Sequence, residues 1–290
     1  MTTTWASIPE ERRGILLFCL VIFIFSLMDI LAKYLTQTYP PVQVVWARYA
    51  SQFFWSALIL SPKLRSYLRT KHLGLQLIRS ACLFGATLCF FTALKYLDFA
   101  SVTAIFETAP LMITILSVVI LKELVGLRRW IGVLVGLLGA VIIIRPGADV
   151  FTPAALLPMG AAACFAGYAI ATRFLGKDEP HATSFIYTTL IGTVVATLVV
   201  PFFWVAPTLP HALILGTFGM IGATGHFLLI ITLSYTPASV IAPFSYLALV
   251  FNTLWGMLIF GEFPDSYTWI GAAVIVGAGL YVWHREQRAD

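Results

Sequence analysis

The sequence predicts an all-α integral membrane protein of ten transmembrane helices, arranged as two five-helix repeats of inverted topology. Three observations lead to this prediction. The chain of 290 residues is 60% hydrophobic and 11% charged, and its mean hydropathy of +0.91 lies well above the range of soluble globular domains. Long apolar runs follow one another with only short polar connections. Finally, the phrase ELVGLRRWIG at 123–132 returns as EFPDSYTWIG at 262–271.

Apolar runs bounded by proline, glycine or charge clusters mark the predicted spans. Each run is long enough to cross a hydrocarbon core of roughly 30 Å as an α-helix. In chain order, the spans are predicted at 13–36, 41–61, 73–96, 100–121, 127–145, 153–175, 181–204, 211–234, 238–260 and 266–285. The connections leave no room for a separate soluble domain.

Basic residues predict the orientation of these spans. If the N-terminus is cytoplasmic, the cytoplasmic side collects Arg12, Arg13, Lys63, Arg65, Arg69, Lys71, Lys122, Arg128, Arg129, Arg173, Lys177, Arg285 and Arg288. The opposite side keeps Lys33, Lys95 and Arg145. The positive-inside rule therefore predicts a multi-pass membrane protein with both termini in the cytoplasm. The basic loop SPKLRSYLRTKH is expected to face inner-leaflet lipids, and nucleic-acid binding is not expected.

The repeat extends beyond the opening phrase. FSLMDILAKYL at 25–35 aligns with FAGYAIATRFL at 165–175, and YLDFASVTAIF at 96–106 resembles YTPASVIAPF at 235–244. Each match lies about 140 residues further on, so the first five spans map in order onto the last five. The predicted units are 1–148 and 149–290. Because five crossings is an odd number, the second unit must enter the membrane from the opposite side, as in many secondary transporters.

Several features together resemble a known family. They are the basic loop after the second span, ALKYLDFASVTAIFETAPLMITILSVVILKE at the fourth, and Glu-x6-Trp-Ile-Gly before the fifth. Over nearly its whole length the chain resembles the EamA type of the drug/metabolite transporter superfamily. It is most similar to the family's bacterial exporters of amino acids and metabolites, aromatic amino acid exporters included. The resemblance implies export from the cytoplasm, and it identifies fold and family better than substrate.

Four ionisable residues within the first unit form a predicted ionic layer. Asp29, Arg48 and Glu107 each lie about seven residues from the outer end of a span, or about 10 Å below the outer boundary. Lys33 lies one turn above Asp29, where it can pair with that carboxylate or reach the interface. The four charges can neutralise one another and lock the helices together. Alternatively, one of the two carboxylates binds a substrate amine or a proton in a cavity. Glu107 is the preferred candidate for this role, ahead of Asp29.

Two prolines are predicted hinges. Pro110 in the fourth span and Pro243 in the ninth each remove a backbone hydrogen bond within a helix. The family resemblance implies that the third, fourth, eighth and ninth spans border a central cavity. The candidate substrate-binding residues are Phe90, Phe91, Glu107, Thr108, Met112, Tyr168, His226, Phe227, Ser245, Tyr246 and Asn252. Ordinary helix packing is the alternative for each aromatic residue. His226 is either a hydrogen-bonded packing residue or a group that titrates near neutral pH.

Other sequence features limit partners and chemistry. The four cysteines lack Cys-x-x-Cys spacing, and neither a metal nor another cofactor is expected. Small residues in the fifth and tenth spans allow close helix approach, either between the two units of a monomer or, alternatively, in a homodimer. Arg79, near the cytoplasmic start of the third span, is expected to extend to the interface.

The predicted function is alternating-access transport of small organic metabolites, amino acids first among them. A nucleotide-sugar, organic-phosphate or drug transporter of the same superfamily is the alternative, although a polyanion needs several cations in the cavity and Arg48 is the one expected at depth. An intramembrane enzyme is not expected, because the spans contain no His-Glu-x-x-His, Gly-x-Ser-x-Gly or paired-aspartate motif.

Overall fold

The computed structural model describes residues 10–60, 64–122, 126–145, 152–175, 179–235 and 242–286, and all regular structure in these ranges is helical. The first half contains α1 Glu10–Thr38, α2 Pro41–Leu60, α3 Leu73–Tyr96, α4 Phe99–Phe106, α5 Ala109–Leu121 and α6 Leu127–Ile144. The second half contains α7 Leu157–Leu175, α8 His181–Val199, α9 Leu209–Tyr235, α10 Leu247–Ile259 and α11 Ser266–Glu286. A helical turn covers Leu64–Tyr67, and 3-10 turns cover Pro153–Leu156, Val200–Phe203 and Ala242–Tyr246.

Six helical segments in the described part of the chain are long and apolar enough to cross a membrane. They are Arg12–Thr38, Leu73–Tyr96, Phe99–Leu121, Pro153–Leu175, Ala182–Phe203 and Leu209–Leu229. Shorter apolar helices cover Trp130–Ile144, Phe244–Ile259 and Ser266–Tyr281. Helix α2 belongs to neither group, because residues such as Arg48 and Gln52 make it more polar than the others.

The distribution of side chains is the reverse of that in a soluble protein. Large apolar residues such as Leu58, Leu198 and Leu258 lie on the outer surface, whereas Gln43 and Asn252 are buried. An apolar exterior suits contact with lipid tails, and polar groups in such a protein turn towards the interior, where they find partners. Buried charges are therefore the first places to search for function.

The fourth predicted span is interrupted where polar residues and a proline meet. Asp98 caps α4 by accepting a hydrogen bond from the Ser101 backbone N–H at 2.8 Å. Helix α4 ends at Phe106, Glu107 and Thr108 connect, and α5 begins at Ala109 with Pro110 in its first turn. Because Pro110 has no N–H to donate, the break costs less here than elsewhere in the helix. The ninth predicted span likewise starts as a 3-10 turn, Ala242–Tyr246, before α10; its residues 238–241 lie outside the described ranges.

Helices of the first half pack mainly on helices of the second. Helix α6 packs along α11, α3 along α7, and α1 along α9. In the first of these pairs the backbones approach closely, since a Cβ atom added at Gly139 would lie 2.8 Å from the carbonyl oxygen of Gly271. The small residues of these helices thus serve packing within the chain, as one of the two sequence-based alternatives expects.

The second copy of the repeated phrase lacks the basic residues of the first copy and contains Asp265. The contacts of Asp265 at the start of α11 account for this acid. Asp265 accepts a hydrogen bond from the Thr268 backbone N–H at 2.8 Å and thereby caps the helix. It also pairs with Arg145 at the end of α6. Burial alone would raise the pKa of the Asp265 carboxyl, but the hydrogen bonds from Thr268 and Arg145 outweigh burial and hold the pKa below its usual range.

Candidate functional site

A cavity of about 180 Å³ lies between helices of the two halves. Helices α2 and α3 contribute one wall, and α7, α8 and α9 contribute the other. It extends from Arg48 towards the end of α7 and the start of α8, where Leu175 and Ser184 line it. These helix ends belong to the side that the basic residues predict to be cytoplasmic. The lining combines cationic, hydroxyl and aromatic groups, which suits an organic solute with at least one charged group.

Arg79 of α3 is anchored in this cavity by hydrogen bonds from all three of its nitrogens. Nε donates to the Thr172 hydroxyl at 2.8 Å, and Nη2 donates to the Tyr168 hydroxyl at 2.8 Å. Nη1 donates to the Ser184 carbonyl at 2.9 Å and to the Thr188 hydroxyl at 2.6 Å. The expectation that Arg79 extends to the interface is wrong: only 6% of the residue is exposed. It instead ties α3 to α7 and α8.

Arg48 of α2 lies at the end of the cavity away from the predicted cytoplasmic side, and it has fewer hydrogen-bond partners than Arg79. Its Nη1 donates to the Thr87 hydroxyl at 2.8 Å, and the same hydroxyl lies 3.0 Å from the Tyr49 hydroxyl. The guanidinium carbon lies 4.9 Å from the centre of the Tyr49 ring and 5.9 Å from that of Phe91. The residue is 5% exposed, and its Nε is buried without a hydrogen-bond partner.

Two further predicted residues line the cavity, His226 and Tyr168. The His226 Nδ1 lies 2.9 Å from the Gly222 carbonyl, which can only accept, so Nδ1 carries the proton. The histidine ring packs edge-on against Phe25, with ring centres 5.1 Å apart, and against Phe185 on the cavity wall at 5.9 Å. This hydrogen bond agrees with the prediction that His226 is a hydrogen-bonded packing residue. The residue nevertheless also lines the cavity.

The predicted aromatic residues separate into a core and an outer set. Phe90 and Phe91 are buried, and Phe91 packs against Phe218 of α9, with ring centres 6.0 Å apart. Neither lines the cavity directly. Phe227 is 64% exposed on the outer surface of α9, so its placement in the cavity is corrected. One residue along a helix is a rotation of about 100°, and His226 and Phe227 therefore face different ways.

The remaining predicted residues form a second polar cluster at the break between α4 and α5. Glu107 is buried and interacts with Ser245 ahead of α10, and Thr108 is fully buried beside it. Asn252 of α10 donates to the Asp29 carboxylate at 3.2 Å and to the Thr103 hydroxyl at 3.1 Å. Tyr246 and Met112 are partly buried. None of these residues lines the cavity that contains Arg48, so the predicted set is divided between two places.

The four residues of the predicted ionic layer are not joined by ion pairs with one another in the described part of the chain. Lys33, which was expected to pair with Asp29 or reach the interface, is 2% exposed and pairs with Glu262 at 2.7 Å instead. Asp29 bonds to Asn252 and Arg48 bonds to Thr87, both neutral groups. The expected Lys33–Asp29 pair is wrong because a carboxylate from the second half lies closer to the ammonium group.

Several cavity residues were missed by sequence reasoning. Gln52, Glu179, Phe185 and Thr188 line it beside Arg79. Two of them carried a signal. Gln52 lies one helical turn beyond Arg48 on α2, and Thr188 is the position that the repeat aligns with Arg48. A charged or amide side chain in mid-span needs a polar partner, and that rule applied to every such residue would have found Arg79 and Gln52.

Comparisons with known proteins agree with the architecture. The model of the EamA-like transporter family matches twice, at residues 12–145 and 152–283. The S-adenosylmethionine uptake transporter of Rickettsia bellii (strain RML369-C) is 30% identical over 280 residues, 95% of each chain. The riboflavin transporter of Vibrio cholerae is 30% identical over 91% of this chain and 90% of that protein. The pseudopaline exporter of Pseudomonas aeruginosa is 27% identical over 92% of this chain and 94% of that protein.

A solved crystal structure resembles the chain with a TM-score of 0.66 at 21% identity, covering 97% of this chain and 99% of the other. At that identity the likeness concerns the fold alone. The family model covers most of the sequence, and the relatives above are named as transporters of small molecules. The helical bundle, with its apolar exterior and a cavity that contains charged and hydroxyl side chains, is what such a role requires. The chain is a multi-pass membrane protein that belongs to the EamA-like transporter family.

Proposed function

We propose that this protein moves small organic metabolites across the bacterial inner membrane by alternating access around the Arg48 cavity. One observation carries the proposal: the cavity wall is shared between the two halves of the chain, with Arg48 and Arg79 on one side and Tyr168 and His226 on the other. Rocking of one half against the other would open such a site to one face of the membrane and then to the other. The bundle does not need to unfold for this motion.

The proposed topology is ten crossings in two inverted units, 1–148 and 149–290, with both termini in the cytoplasm. Two separate matches to one family model support the duplication. In this arrangement the helix α2 is a span although its composition is polar, because its polar face turns into the cavity while Phe54 and Ile59 face outward. The breaks near Pro110 and Pro243 would ease the motion of α4 and α10 as hinges.

Amino acids, aromatic and hydrophobic ones included, are the proposed substrates. The guanidinium groups of Arg48 and Arg79 suit a carboxylate, and the rings of Tyr168, Phe185 and His226 suit an apolar or aromatic body. Export is the proposed direction. Because relatives are named for uptake as well as for export, the direction must be measured rather than assumed.

Counterflow in proteoliposomes tests this function. The purified chain is reconstituted into vesicles loaded with unlabelled phenylalanine, and entry of labelled phenylalanine is followed, with empty vesicles as the control. We expect accumulation above that control. A panel of other amino acids, S-adenosylmethionine and riboflavin is run as competitors. If neither phenylalanine nor any other amino acid moves or competes, the proposed substrate class is wrong.

Transport of organic phosphates or nucleotide-sugars is the second candidate, and one observation favours it. The sequence led us to expect Arg48 at depth and Arg79 at the cytoplasmic end of its span, whereas both arginines line one cavity. Two guanidinium groups suit a phosphate at least as well as a carboxylate. Stronger competition by phenyl phosphate than by phenylalanine in the counterflow experiment would favour this candidate.

A further inference from the structure

The Arg48 cavity contains two buried guanidinium groups, and neither forms an ion pair with a carboxylate in the described part of the chain. The charge of Asp29 interacts with that of Arg48 only from beyond ion-pair distance. Every hydrogen bond that Arg79 makes ends on a neutral oxygen, and so does that of Arg48. The ion pairs of the described residues, Lys33–Glu262 and Arg145–Asp265, involve neither arginine. A buried charge is costly unless an opposite charge or a full set of hydrogen bonds compensates it.

Among the described residues that line the cavity, Glu179 is the one acid, and its carboxylate already accepts hydrogen bonds from other groups. Its Oε2 accepts from the Gln76 side-chain amide at 3.1 Å, and its Oε1 accepts from the Lys71 backbone N–H at 3.4 Å. It makes no ion pair with Arg79 or Arg48. No described carboxylate therefore pairs directly with either guanidinium, and a direct partner can come from a molecule that enters the cavity.

The two arginines differ in how many of their guanidinium nitrogens donate hydrogen bonds. Arg79 donates from Nε, Nη1 and Nη2, so its guanidinium is held in place by α7 and α8. Arg48 donates from Nη1 alone within the described residues, and its Nε is buried without a partner. An unsatisfied donor on a buried cation is rare in folded proteins, since it retains the full cost of lost hydration. Because Arg48 lies on the cavity wall, a ligand that binds in the cavity with an acceptor oxygen can supply the missing hydrogen-bond partner.

We propose that Arg48 is the binding residue for the anionic group of the substrate, a carboxylate or a phosphate, while Arg79 is a positioning residue that keeps the cavity positive and joins its walls. This inference rests on the proposed function and goes beyond it by naming the group that is recognised. The anion completes the hydrogen bonding of the Arg48 guanidinium, and the rest of the substrate lies towards Phe185 and Tyr168. The Tyr49 and Phe91 rings lie against the guanidinium and help to orient it.

Ligand-induced stabilisation of the detergent-purified full chain tests the proposal without relying on transport. Unfolding midpoints are measured at constant ionic strength with 3-phenylpropionate, with its neutral analogue 3-phenylpropionamide, with phenyl phosphate and with inorganic phosphate. We expect at least one organic anion to raise the midpoint in a saturable way, because binding to the folded state stabilises it. The amide is expected to have no comparable effect.

The Arg48→Gln variant should bind the anion about tenfold or more weakly, which is the typical effect of losing a charge-assisted hydrogen bond. Arg48→Lys should bind with intermediate affinity, because it keeps the charge and loses the planar fork. Arg145→Gln is the matched control: it removes an arginine that pairs with Asp265 outside the cavity, and anion affinity should be unchanged.

Three outcomes overturn the proposal: equal stabilisation by the amide and the acid, unchanged anion affinity in Arg48→Gln, or no effect of any anion on the original chain. A shift with inorganic phosphate and with neither organic anion also overturns it. Failure of the proposed function gives a different pattern. If organic anions bind through Arg48 but neither phenylalanine nor any other amino acid shows counterflow, the substrate class is wrong and the anion site stands. If counterflow occurs and phenylalaninamide competes as well as phenylalanine, transport stands and the anion site is wrong.

Discussion

Single glycines set how closely α9 approaches the cavity helix α2. The backbone N–H of Gly219 donates to the Ser51 hydroxyl at 2.8 Å. A Cβ atom at Gly219 would overlap the backbone of Gln52 and the Ser51 side chain. This contact fixes the part of α2 that also carries Arg48 into the cavity. A side chain at position 219 would therefore move the binding group as well as the helix.

Replacing this glycine tests the close approach. Gly219→Ala should destabilise the chain by about 2 kcal/mol, because the atoms it meets belong largely to the backbone and cannot move aside. Gly216→Ala, on the same helix with nothing near its Cβ position, is the control. That variant should be neutral or stabilising by about 0.5 kcal/mol, since alanine favours helix more than glycine does. Unfolding midpoints in detergent measure both, and equal midpoints would contradict the packing described.

At this scale, sequence reasoning found the helices better than the directions of their side chains. The bounds of α3, Leu73–Tyr96, coincide with the prediction because apolar composition and Asp98 define them locally. The direction in which Arg79 points was not predictable, since it depends on acceptors contributed by α7 and α8. Lys33 shows the same limit: its partner Glu262 is more than 200 residues away in the sequence. Local patterns do not encode such pairings.

Between elements, the more buried of two described ion pairs that join the halves lies at the end of the bundle away from Arg79. The Lys33 ammonium of α1 pairs with Glu262, which precedes α11, and donates to the Leu97 carbonyl at 2.9 Å. It also lies 5.6 Å and 5.4 Å from the ring centres of Phe99 and Phe260. Glu262 accepts a further hydrogen bond from the Phe99 backbone N–H at 2.9 Å. The pair thus connects α1, the start of α4 and the turn before α11.

Replacing Glu262 alone and Lys33 alone should lower the stability of the chain by unequal amounts. Glu262→Gln leaves a buried ammonium without a carboxylate and should cost about 3 kcal/mol. Lys33→Met should cost about 1 kcal/mol, because the Glu262 side chain is 28% exposed and can be hydrated. The double variant should be more stable than Glu262→Gln alone.

Unfolding midpoints of the three variants in one detergent measure these differences. Arg145→Met, which breaks the more exposed pair with Asp265, serves as the comparison and should cost less than about 1 kcal/mol. Equal losses from Lys33→Met and Glu262→Gln would contradict the uneven burial. A double variant whose loss equals the sum of the two single losses would show that the two side chains act independently.

Across the whole molecule, helix packing supports the proposed inverted repeat. If the two units exchange, the contact of α1 with α9 becomes that of α7 with α3, and both contacts are present. The contact of α2 with α9 becomes that of α8 with α3, which is also present. The pairs α2 with α8 and α6 with α11 exchange into themselves. Such exchange is expected of a two-fold pseudosymmetric transporter and not of a general apolar bundle.

Ten crossings and six crossings predict different locations for Ser66. If α2 crosses the membrane, Ser66 in the turn Leu64–Tyr67 is cytoplasmic. If crossing is limited to the six long apolar segments, the chain from the end of α1 to the start of α3 stays outside, and Ser66 with it. Ala206, after α8, is outside in both arrangements when the N-terminus is cytoplasmic. Both residues are exposed at the surface of the chain.

Cysteine accessibility decides between the two arrangements. The four native cysteines are first replaced by serine or alanine, and Ser66→Cys and Ala206→Cys are introduced singly. In intact bacterial cells, a maleimide that cannot cross the inner membrane should label position 206 and should label position 66 only after permeabilisation. Labelling of both positions in intact cells would place them on the same side and would exclude α2 as a span, and with it the inverted five-helix repeat. Labelling of neither until permeabilisation would instead place Ala206 inside and contradict the proposed orientation. The expected pattern requires the polar helix α2 to cross the bilayer, and a crossing α2 must keep Arg48 turned to the interior of the bundle, since lipid offers its charge no partner.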